Sequence, residues 1–329
     1  MQMHMPRSLG RFRHAATLLS IAVVALVAGP LSVASATTGT GAAAISQPGL
    51  STPTPNMPCG VSPSGSAPAK YQHVIWILME NESSTSVIGS PSAPYINKLA
   101  GQCGLATNYS AISHPSLPNY IALTSGSLQG ISDDANPSAH PLNVPSIFSQ
   151  LGGDWRGLDE SMKTTCEQTN DGLYAVRHNP AAYYTNIRTD CMHKDIPLTT
   201  TSNLDADLSA KFTFITPDVC DDMHNDCTGT GNPGKLMTGD KYLSGLIPQI
   251  INSTEYQSGT TAIFLTFDEG EDSTNHVVTE AIAPTVKPGT QSGAQFSHYS
   301  LLRTTEQMLG LPALGQAATA ASMRGAFGL

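Results

Sequence analysis

The sequence predicts an α/β protein with a doubly wound, mostly parallel central sheet and helices on both of its faces. Apolar runs of strand length alternate along the chain with longer segments that have helical periodicity, and this alternation is typical of such sheets. The first of these runs is continuously apolar, as expected of a strand that is buried on both faces. With 329 residues, the chain is long enough to form one large domain of this class.

Four apolar runs are predicted strands, and the first is the clearest. It reads His73-Val-Ile-Trp-Ile-Leu-Met79, with no charged residue inside it. The other three predicted strands are Lys211–Thr216, Thr261–Thr266 and Val277–Ala283. Because each has the length and composition of a buried strand, we expect them to lie side by side in one sheet.

The segments between the strands carry the predicted helices. These are Ala93–Gln102, Leu117–Thr124, Val144–Leu151, Asp240–Ile251 and Ser300–Leu309. Asp240 precedes an apolar periodic segment, so we predict that it caps that helix. Residues 153–208 show weak periodicity, and we predict irregular structure there that wraps the sheet.

The first 36 residues are predicted to be a secretory signal peptide. Three arginines precede an apolar run from Ala15 to Ala28, and a small-x-small cleavage site follows at Ala34-Ser35-Ala36. The apolar run is too short to span a bilayer by itself, and a retained membrane anchor is the alternative interpretation. We therefore expect a secreted, extracellular protein.

The segment after the signal peptide has the composition of a linker. Residues 37–69 are rich in Thr, Gly, Ala, Ser and Pro and have no periodic apolar pattern, which predicts a flexible tether. Residues 70–329 are then predicted to form a single domain.

The six cysteines predict disulfides. An even number of cysteines behind an export signal favours disulfide bonds, and the sequence contains no C-x-x-C pair of the kind found in structural zinc sites. We predict the pairs Cys59–Cys103, Cys166–Cys191 and Cys220–Cys227, which is one of fifteen possible connectivities.

The charge balance excludes one class of partner. The chain has 16 basic and 25 acidic residues, a formal net charge of −9, and loss of the signal peptide would remove three of the arginines. Such an acidic protein lacks the broad basic surface that binds a nucleic-acid backbone. We expect no nucleic-acid partner, and a monomer.

Acidic side chains gather where three predicted strands end. The first strand runs into Glu80-Asn81-Glu82, the second into residues 217–227 with Asp222 and His224, and the third into Asp268-Glu269. Ligands of open α/β sheets bind beyond the carboxyl ends of the strands. Each cluster alone could be a solvated charged loop. Three clusters at one edge predict a shared divalent cation held by oxygen donors.

A serine lies at the predicted start of a helix. Ser116 is followed two residues later by Pro118 and then by an apolar helical segment, which is typical of a helix N-terminus. Its hydroxyl would lie among free backbone N–H groups, where an anion or a serine alkoxide is stabilised. A simple helix cap is the alternative interpretation.

These motifs together resemble a known family. Val74-Ile-Trp-Ile-Leu-Met-Glu80-Asn81, Ala93-Pro-Tyr-Ile-Asn97 and His114-Pro-Ser-Leu-Pro-Asn-Tyr120 are followed in order by Asp222-Met-His224, Thr266-Phe-Asp268-Glu269 and Ser297-His298. The set resembles the bacterial phosphoesterase family of secreted acid phosphatases and phospholipases C, within the alkaline phosphatase superfamily. It is most similar to the short secreted acid phosphatases that act on phosphatidylinositol 3-phosphate. An alkaline phosphatase-like fold is therefore expected.

The resemblance implies a role for each matching residue. Ser116 would be the nucleophile, and His224 and His298 would act as catalytic groups near the scissile oxygen. His114 and Asp222 would contact the substrate. The implied metal ligands are Glu80, Asn81, Asp268 and Glu269. This set predicts one divalent ion of unknown identity, and Asp218, Asp222, His224 and His298 could supply a second site.

Three functions stay open at this stage. The first is a phosphomonoesterase that hydrolyses small or lipid-bound phosphate esters through a phosphoserine, with transient contact to a membrane surface for the lipid substrates. The second is a phospholipase C-type phosphodiesterase, although such family members are generally longer. The third is an exported, non-catalytic calcium-binding protein. The combination of a helix-start serine with the acidic set favours the enzyme.

Overall fold

The computed structural model describes residues 52–62, 66–199, 204–227 and 234–329. The predicted signal peptide, residues 1–36, lies outside these residues, as do residues 37–51 and 63–65 of the predicted tether. Among the helices of the described ranges, none is both long and apolar enough to cross a membrane.

The first predicted strand forms the centre of the sheet. Strand β1, His73–Met79, pairs in parallel on one side with Phe212–Thr216 and on the other with Thr261–Phe267. All three strands are buried along nearly their whole length. Their continuous apolar sequences follow from this position, because both faces of a central parallel strand are covered.

The sheet has eight strands in the order β5-β4-β6-β1-β7-β8-β2-β9, and a separate two-stranded ladder joins β10 to β3. All pairings in the large sheet are parallel except those of β8 with β7 and with β2. The strands in chain order are β1 His73–Met79, β2 Gly104–Ala106, β3 Tyr109–Ser110, β4 Trp155–Glu160, β5 Asp195–Leu198, β6 Phe212–Thr216, β7 Thr261–Phe267, β8 Thr279–Ile282, β9 Thr290–Ser292 and β10 Phe296–Ser297. The predicted doubly wound, mostly parallel α/β fold is confirmed.

Helices cover both faces of this sheet. In chain order they are α1 Ser84–Val87, α2 Pro94–Gln102, α3 Ser116–Ser125, α4 Ile147–Gln150, α5 Arg188–Lys194, α6 Leu204–Leu208, α7 Lys235–Ile251, α8 Thr254–Gln257, α9 His298–Leu309 and α10 Arg324–Phe327. Short 3₁₀ helices occupy Val176–His178, Pro180–Tyr183, Thr185–Ile187 and Gly315–Ala318. Helix α3 packs against α9, and α2 packs against α7. The buried indole of Trp76 on β1 donates its N–H to Thr305 on α9 at 3.0 Å.

The prediction that Asp240 caps the helix following it is wrong. Helix α7 begins at Lys235, so Asp240 lies inside it and is 3% exposed. Its carboxylate accepts hydrogen bonds from the backbone N–H groups of Tyr95 at 3.0 Å and Ile96 at 2.9 Å. Asp240 therefore caps the start of α2, a helix far away in sequence, and contributes one of the contacts that join the two helices.

Residues 153–208 are more regular than predicted. This stretch supplies β4 and β5, which form one end of the sheet, and the three consecutive 3₁₀ helices. Its strands escape detection because they are not apolar. Strand β4 reads Trp-Arg-Gly-Leu-Asp-Glu, and the guanidinium of its Arg156 pairs with Asp207 at 3.3 Å.

All three predicted disulfides are present, as Cys59–Cys103, Cys166–Cys191 and Cys220–Cys227. The first one corrects the predicted tether. Residues 52–62 were assigned to the flexible segment, yet Cys59 is fully buried and the carbonyl of Pro58 accepts a hydrogen bond from the Tyr256 hydroxyl at 2.9 Å. This part of the segment is attached to the domain, which its Pro- and Ser-rich composition does not reveal.

Two carboxyl groups meet in the interior between β4 and β5. Asp159 and Asp195 are 3% and 0% exposed, and the amide of Asn179 donates to Asp195 at 2.7 Å. Burial and the charge of Asp195 raise the pKa of Asp159 well above its ordinary value, and burial raises the pKa of Asp195 to about 6. The pair therefore retains a proton that the unfolded chain has already lost.

This pair should make stability fall as the pH rises. Because the folded state binds the extra proton, the free energy of unfolding decreases from about pH 4 through about pH 6 and beyond. In Asp159→Asn the amide can donate to Asp195, which then needs no proton. We expect the variant to gain about 2–3 kcal/mol relative to the wild type between pH 4.5 and 8, measured by urea unfolding at each pH. Asp171→Asn, at the surface beside Lys163, is the control, and equal slopes for all three proteins would contradict the prediction.

Candidate functional site

Three strand ends converge as predicted, and backbone hydrogen bonds hold them together. The N–H of Glu80, just after β1, donates to the carbonyl of Asp222 at 2.8 Å. The N–H of Asp268, just after β7, donates to the carbonyl of Met79 at 3.0 Å. Asn81 adopts a positive φ of 53° and donates its backbone N–H to the Asp268 carboxylate at 3.2 Å. These bonds bring Glu80, Asp222 and Asp268 to one place.

Ser116 joins this group from a different element. It is the first residue of α3, after the N-cap Pro115, and it is 3% exposed. Its hydroxyl donates to Oε2 of Glu80 at 3.1 Å. The serine therefore lies on the same side of the sheet as the acids, at the positive end of a ten-residue helix.

The loop that presents Ser116 is held by the side chain of Asn119. The Asn119 Oδ1 accepts the backbone N–H groups of Ile112 at 3.0 Å and Ser113 at 2.9 Å. Its Nδ2 donates to the carbonyls of Ser113 and Pro115. Because Asn119 is fully buried, these four bonds fix the turn from β3 into α3.

Glu80 is the most enclosed acid of the site. Its Oε1 accepts the Tyr120 hydroxyl at 2.5 Å and lies 3.4 Å from Nε2 of His178. Burial raises the pKa of Glu80 well above its ordinary value, and the charges of Asp268 and Asp222 add to this effect. An ionised Glu80 is therefore unfavourable here without a nearby positive charge.

The pKa values of Asp268 and Glu269 are raised for the same reason. Burial, with the neighbouring charge of Glu269, raises the pKa of Asp268 to about 8, and Oδ2 of Asp268 is buried without a hydrogen-bond partner. Burial, with the charge of Asp134, raises the pKa of Glu269 to about 7. Glu269 also lies 2.7 Å from Nδ1 of His114, whose side chain is half exposed.

The donor set fits a divalent cation. Buried carboxylates that repel each other, with an unpaired oxygen on Asp268, are the arrangement that a cation would neutralise. Glu80, Asn81, Asp268 and Glu269 offer the oxygen atoms that hard ions prefer. Ligand atoms of Glu80, His178 and His224 also lie within 4.8 Å of one another, so nitrogen donors are available on the opposite side of Glu80.

His178 is a site residue that the sequence analysis missed. No motif in the sequence singles it out, yet it is 1% exposed and its two ring nitrogens face Glu80 and Asp222, at 3.4 and 3.1 Å. Burial lowers its pKa well below the ordinary value. The ring stacks on Tyr120, with centroids 5.4 Å apart. No sequence pattern points to His178, because it lies on a 3₁₀ helix within the segment of weakest periodicity.

Asp222 does not face the open side of the site, contrary to its predicted role in substrate binding. It is fully buried, and its carboxylate accepts the backbone N–H of His224 at 2.7 Å and lies beside Nδ1 of His178. Asp222 orients these two histidines, because the tight loop after β6 turns its side chain inward.

His224 and Arg177 lie next to each other at the edge of the group. The guanidinium of Arg177 donates to Nε2 of His224 at 3.0 Å, and Nδ1 of His224 lies 2.8 Å from the side-chain oxygen of Asn225. The ring is then neutral, with its proton on Nδ1. Partial burial lowers its pKa.

The contacts of His298 do not fit the predicted catalytic role. The ring is fully buried, its Nε2 donates to the backbone carbonyl of Asp268 at 2.6 Å, and its Nδ1 accepts the Tyr109 hydroxyl at 3.0 Å. Both ring nitrogens are therefore in use, and burial lowers the pKa to about 4. His298 supports the loop that carries Asp268, since its position at the start of α9 places it beneath that loop.

The remaining acids of the predicted clusters are turned away. Glu82 and Glu271 pair with Lys235, at 3.1 and 2.6 Å. Asp218 accepts the hydroxyl of Ser161 at 2.6 Å and lies with Glu160 and Asp221 in a separate acidic group. The site thus keeps only part of the acidic residues that the sequence places at the strand ends.

The sequence is similar to that of several known proteins. The sequence model of the Phosphoesterase family matches residues 76–312. A phosphatidylinositol-3-phosphatase of Mycobacterium tuberculosis is 29% identical over 265 residues, which cover 78% of this chain and 83% of that protein. A phosphate-repressible acid phosphatase of Penicillium chrysogenum is 30% identical over 240 residues, 67% of this chain and 55% of that protein.

Solved structures support the fold. A protein of the alkaline phosphatase superfamily from Vibrio parahaemolyticus superposes with a TM-score of 0.54 at 12% identity, covering 85% of this chain and 76% of that chain. The lipoteichoic acid synthase LtaP of Listeria monocytogenes gives 0.52 at 13% identity, covering 82% and 77%. At these identities the likeness shows the shared fold alone.

The supporting role of His298 can be tested by stability. His298→Ala removes two buried hydrogen bonds and leaves the Asp268 carbonyl and the Tyr109 hydroxyl without these partners. We expect the free energy of unfolding to fall by about 2–4 kcal/mol in urea titrations. Tyr109→Phe, which removes only one of the bonds, should lose less. His276→Ala, at an exposed position, should change it by less than about 0.5 kcal/mol. A His298→Ala protein as stable as the wild type would contradict this role.

Proposed function

Because this chain belongs to the phosphoesterase family, we propose that it is a secreted, metal-dependent phosphomonoesterase with Ser116 as its nucleophile. The chain is a phosphoric ester hydrolase. The proposal adds the monoester preference, the metal, the phosphoserine intermediate and export. Three disulfides and the signal-like N-terminus support the assignment to an extracellular setting.

One observation carries the proposal. The Ser116 hydroxyl lies at the start of α3 and 3.1 Å from the carboxylate of Glu80, which shares its buried surroundings with Asp268. A serine that only capped a helix would accept a backbone N–H, and this hydroxyl instead donates to an acid that needs a cation. This contact supports the proposal that Ser116 acts beside a metal held by these acids.

The ligands of the metal would be Glu80, Asn81, Asp268 and Glu269. When bound, the ion supplies positive charge that favours the alkoxide of Ser116 and balances the charge of the phosphoryl group. The backbone N–H groups at the start of α3 stabilise the same negative charge. His114, half exposed beside Glu269, lies where the phosphate would enter, and we assign it to substrate binding.

The reaction would take two steps. The oxygen of Ser116, its proton released to solvent, attacks phosphorus, and the bond from phosphorus to the ester oxygen breaks. The departing ester oxygen takes a proton from water and leaves as the alcohol, with a phosphoserine left behind. Water then attacks this phosphoserine and releases inorganic phosphate. We assign proton transfer in the second step to Nε2 of His224, which is the unprotonated nitrogen of that ring and becomes free when Arg177 engages the phosphate.

The named activities of the relatives suggest the substrate class. One relative is a phosphatidylinositol-3-phosphatase and another is an acid phosphatase. We propose that this chain hydrolyses small phosphate monoesters and the 3-phosphate of phosphoinositides, the latter during transient contact with a membrane surface.

The nucleophile is tested by Ser116→Ala. We expect p-nitrophenol release from p-nitrophenyl phosphate to fall at least about a thousand-fold, because only binding and electrostatic effects remain without the nucleophile. Ser113→Ala is the matched control, since this serine lies three residues away with its hydroxyl bonded only locally to the His114 carbonyl. The wild type should hydrolyse the monoester faster than bis-p-nitrophenyl phosphate. Full activity of Ser116→Ala would exclude the nucleophile, and faster diester hydrolysis would favour a phospholipase C-type enzyme.

The metal is tested by chelation. EDTA followed by gel filtration should abolish activity and lower the melting temperature by several degrees, because the buried acids lose their counter-charge, and a divalent cation should restore both. Asp268→Asn should need more metal for the same rise in melting temperature. Glu271→Gln, which changes an acid bound to Lys235, is the control. A chelated protein that keeps its activity and melting temperature would contradict the metal site.

A further inference from the structure

A carboxylate already lies at the start of the nucleophile's helix. Oδ1 of Asp134 accepts the backbone N–H of Leu117 at 2.9 Å. Leu117 directly follows Ser116 and is the second residue of the ten-residue helix α3. The unpaired N–H groups and the dipole at such a position favour a negative group.

A second donor approaches the same carboxylate. Nε of Arg177 lies 4.0 Å from the other oxygen, Oδ2, of Asp134. The two side chains are 19% and 35% exposed, so the pair lies at the mouth of the site. Nη2 of the same guanidinium contacts Nε2 of His224 at 3.0 Å. The Leu117 N–H and the Arg177 guanidinium therefore lie against the two oxygens of the Asp134 carboxylate.

The two neighbouring aspartates face different partners. Asp134 lies against the start of α3, whereas Asp133 points outward and pairs with His140 at 2.6 Å. The Leu117 N–H and the Arg177 guanidinium therefore hold one of two adjacent carboxylates, a kind of group that such donors bind well.

A phosphate monoester would use the same two donors. Its phosphoryl oxygens need N–H groups and a guanidinium beside the attacking hydroxyl, and Leu117 is the residue next to that hydroxyl. Phosphate and the Asp134 carboxylate cannot both accept the Leu117 N–H and lie beside the Arg177 guanidinium at the same time. Binding of one anion therefore requires the other to leave.

We propose that Asp134 is an internal competitor of the substrate. In the substrate-free protein its carboxylate occupies the anion position formed by the Leu117 N–H and Arg177, and the phosphate group of the substrate displaces it. This inference rests on the proposed phosphatase function. It makes Asp134 a specificity-determining residue, because weakly bound anions do not displace it.

The test replaces Asp134 in two ways. Asp134→Asn keeps an acceptor for the Leu117 N–H but removes the charge, whereas Asp134→Ala empties the position. We expect the KM for p-nitrophenyl phosphate and the inhibition constant of inorganic phosphate to fall in the order wild type, Asn, Ala. The total decrease should be about ten-fold, as for loss of one charge-assisted hydrogen bond, with kcat within about two-fold of the wild type. Asp133→Asn, one residue away, should leave all three constants unchanged.

Two outcomes would overturn the inference. Equal phosphate inhibition of Asp134→Asn and Asp134→Ala would show an effect of charge alone, without occupancy of the anion position. A fall in kcat/KM for both variants would show that Asp134 orients Arg177 for catalysis and does not compete. Thermal unfolding of each variant verifies that it is folded.

A binding measurement separates this inference from the proposed function. Titration calorimetry of inorganic phosphate into Ser116→Ala proteins, with Asp134, Asn or Ala at position 134, needs no turnover. If the wild type hydrolyses no phosphate monoester, the proposed function is wrong. The phosphate affinities of the three Ser116→Ala proteins would still show whether Asp134 competes with phosphate. If the wild type is active and phosphate binds all three proteins equally, the internal competitor is excluded and the function stands.

Discussion

The rest of the site depends on one electrostatic constraint, the burial of several carboxyl groups around a single serine. Glu80 and Asp268 are fully buried within one cluster, and both have raised pKa values because burial and mutual repulsion disfavour their charges. The acids stay together because Glu80 follows β1 and Asp268 follows β7, and these two strands pair with each other in the central sheet. A site built in this way is prepared for a cation and, beside it, for an anion at the start of α3.

Neutral and charged residues support the site in different ways. Neutral groups fix the geometry: Asn119 holds the loop before Ser116, and His298 holds the carbonyl of Asp268. A charged group determines which acids face the site. Lys235 pairs with Glu82 and Glu271 and so keeps these two acids away from the centre of the site. The negative charge of the chain is thus concentrated where a cation can balance it.

The fold was predictable wherever burial left a pattern in the sequence. The three central strands are mostly apolar because both of their faces are covered. The even number of cysteines behind a predicted signal peptide favoured disulfides, with a pairing that was one of fifteen possibilities. Strands β4 and β5 had no such pattern. Their interior positions hold Asp159 and Asp195, and burial raises the pKa of both. A pair of this kind is invisible until the two strands are placed side by side.

Local sequence patterns were enough to predict Glu80, Ser116 and Asp268 as candidate residues, because each of them follows a strand or begins a helix. The rest of the site depends on tertiary contacts. The tertiary structure brought His178 against Glu80 and Arg177 beside His224, and it placed Asp134 on the N–H of Leu117. These contacts join segments with no periodic pattern, and their partners are chosen by packing and charge across the sheet, which no short stretch of sequence encodes.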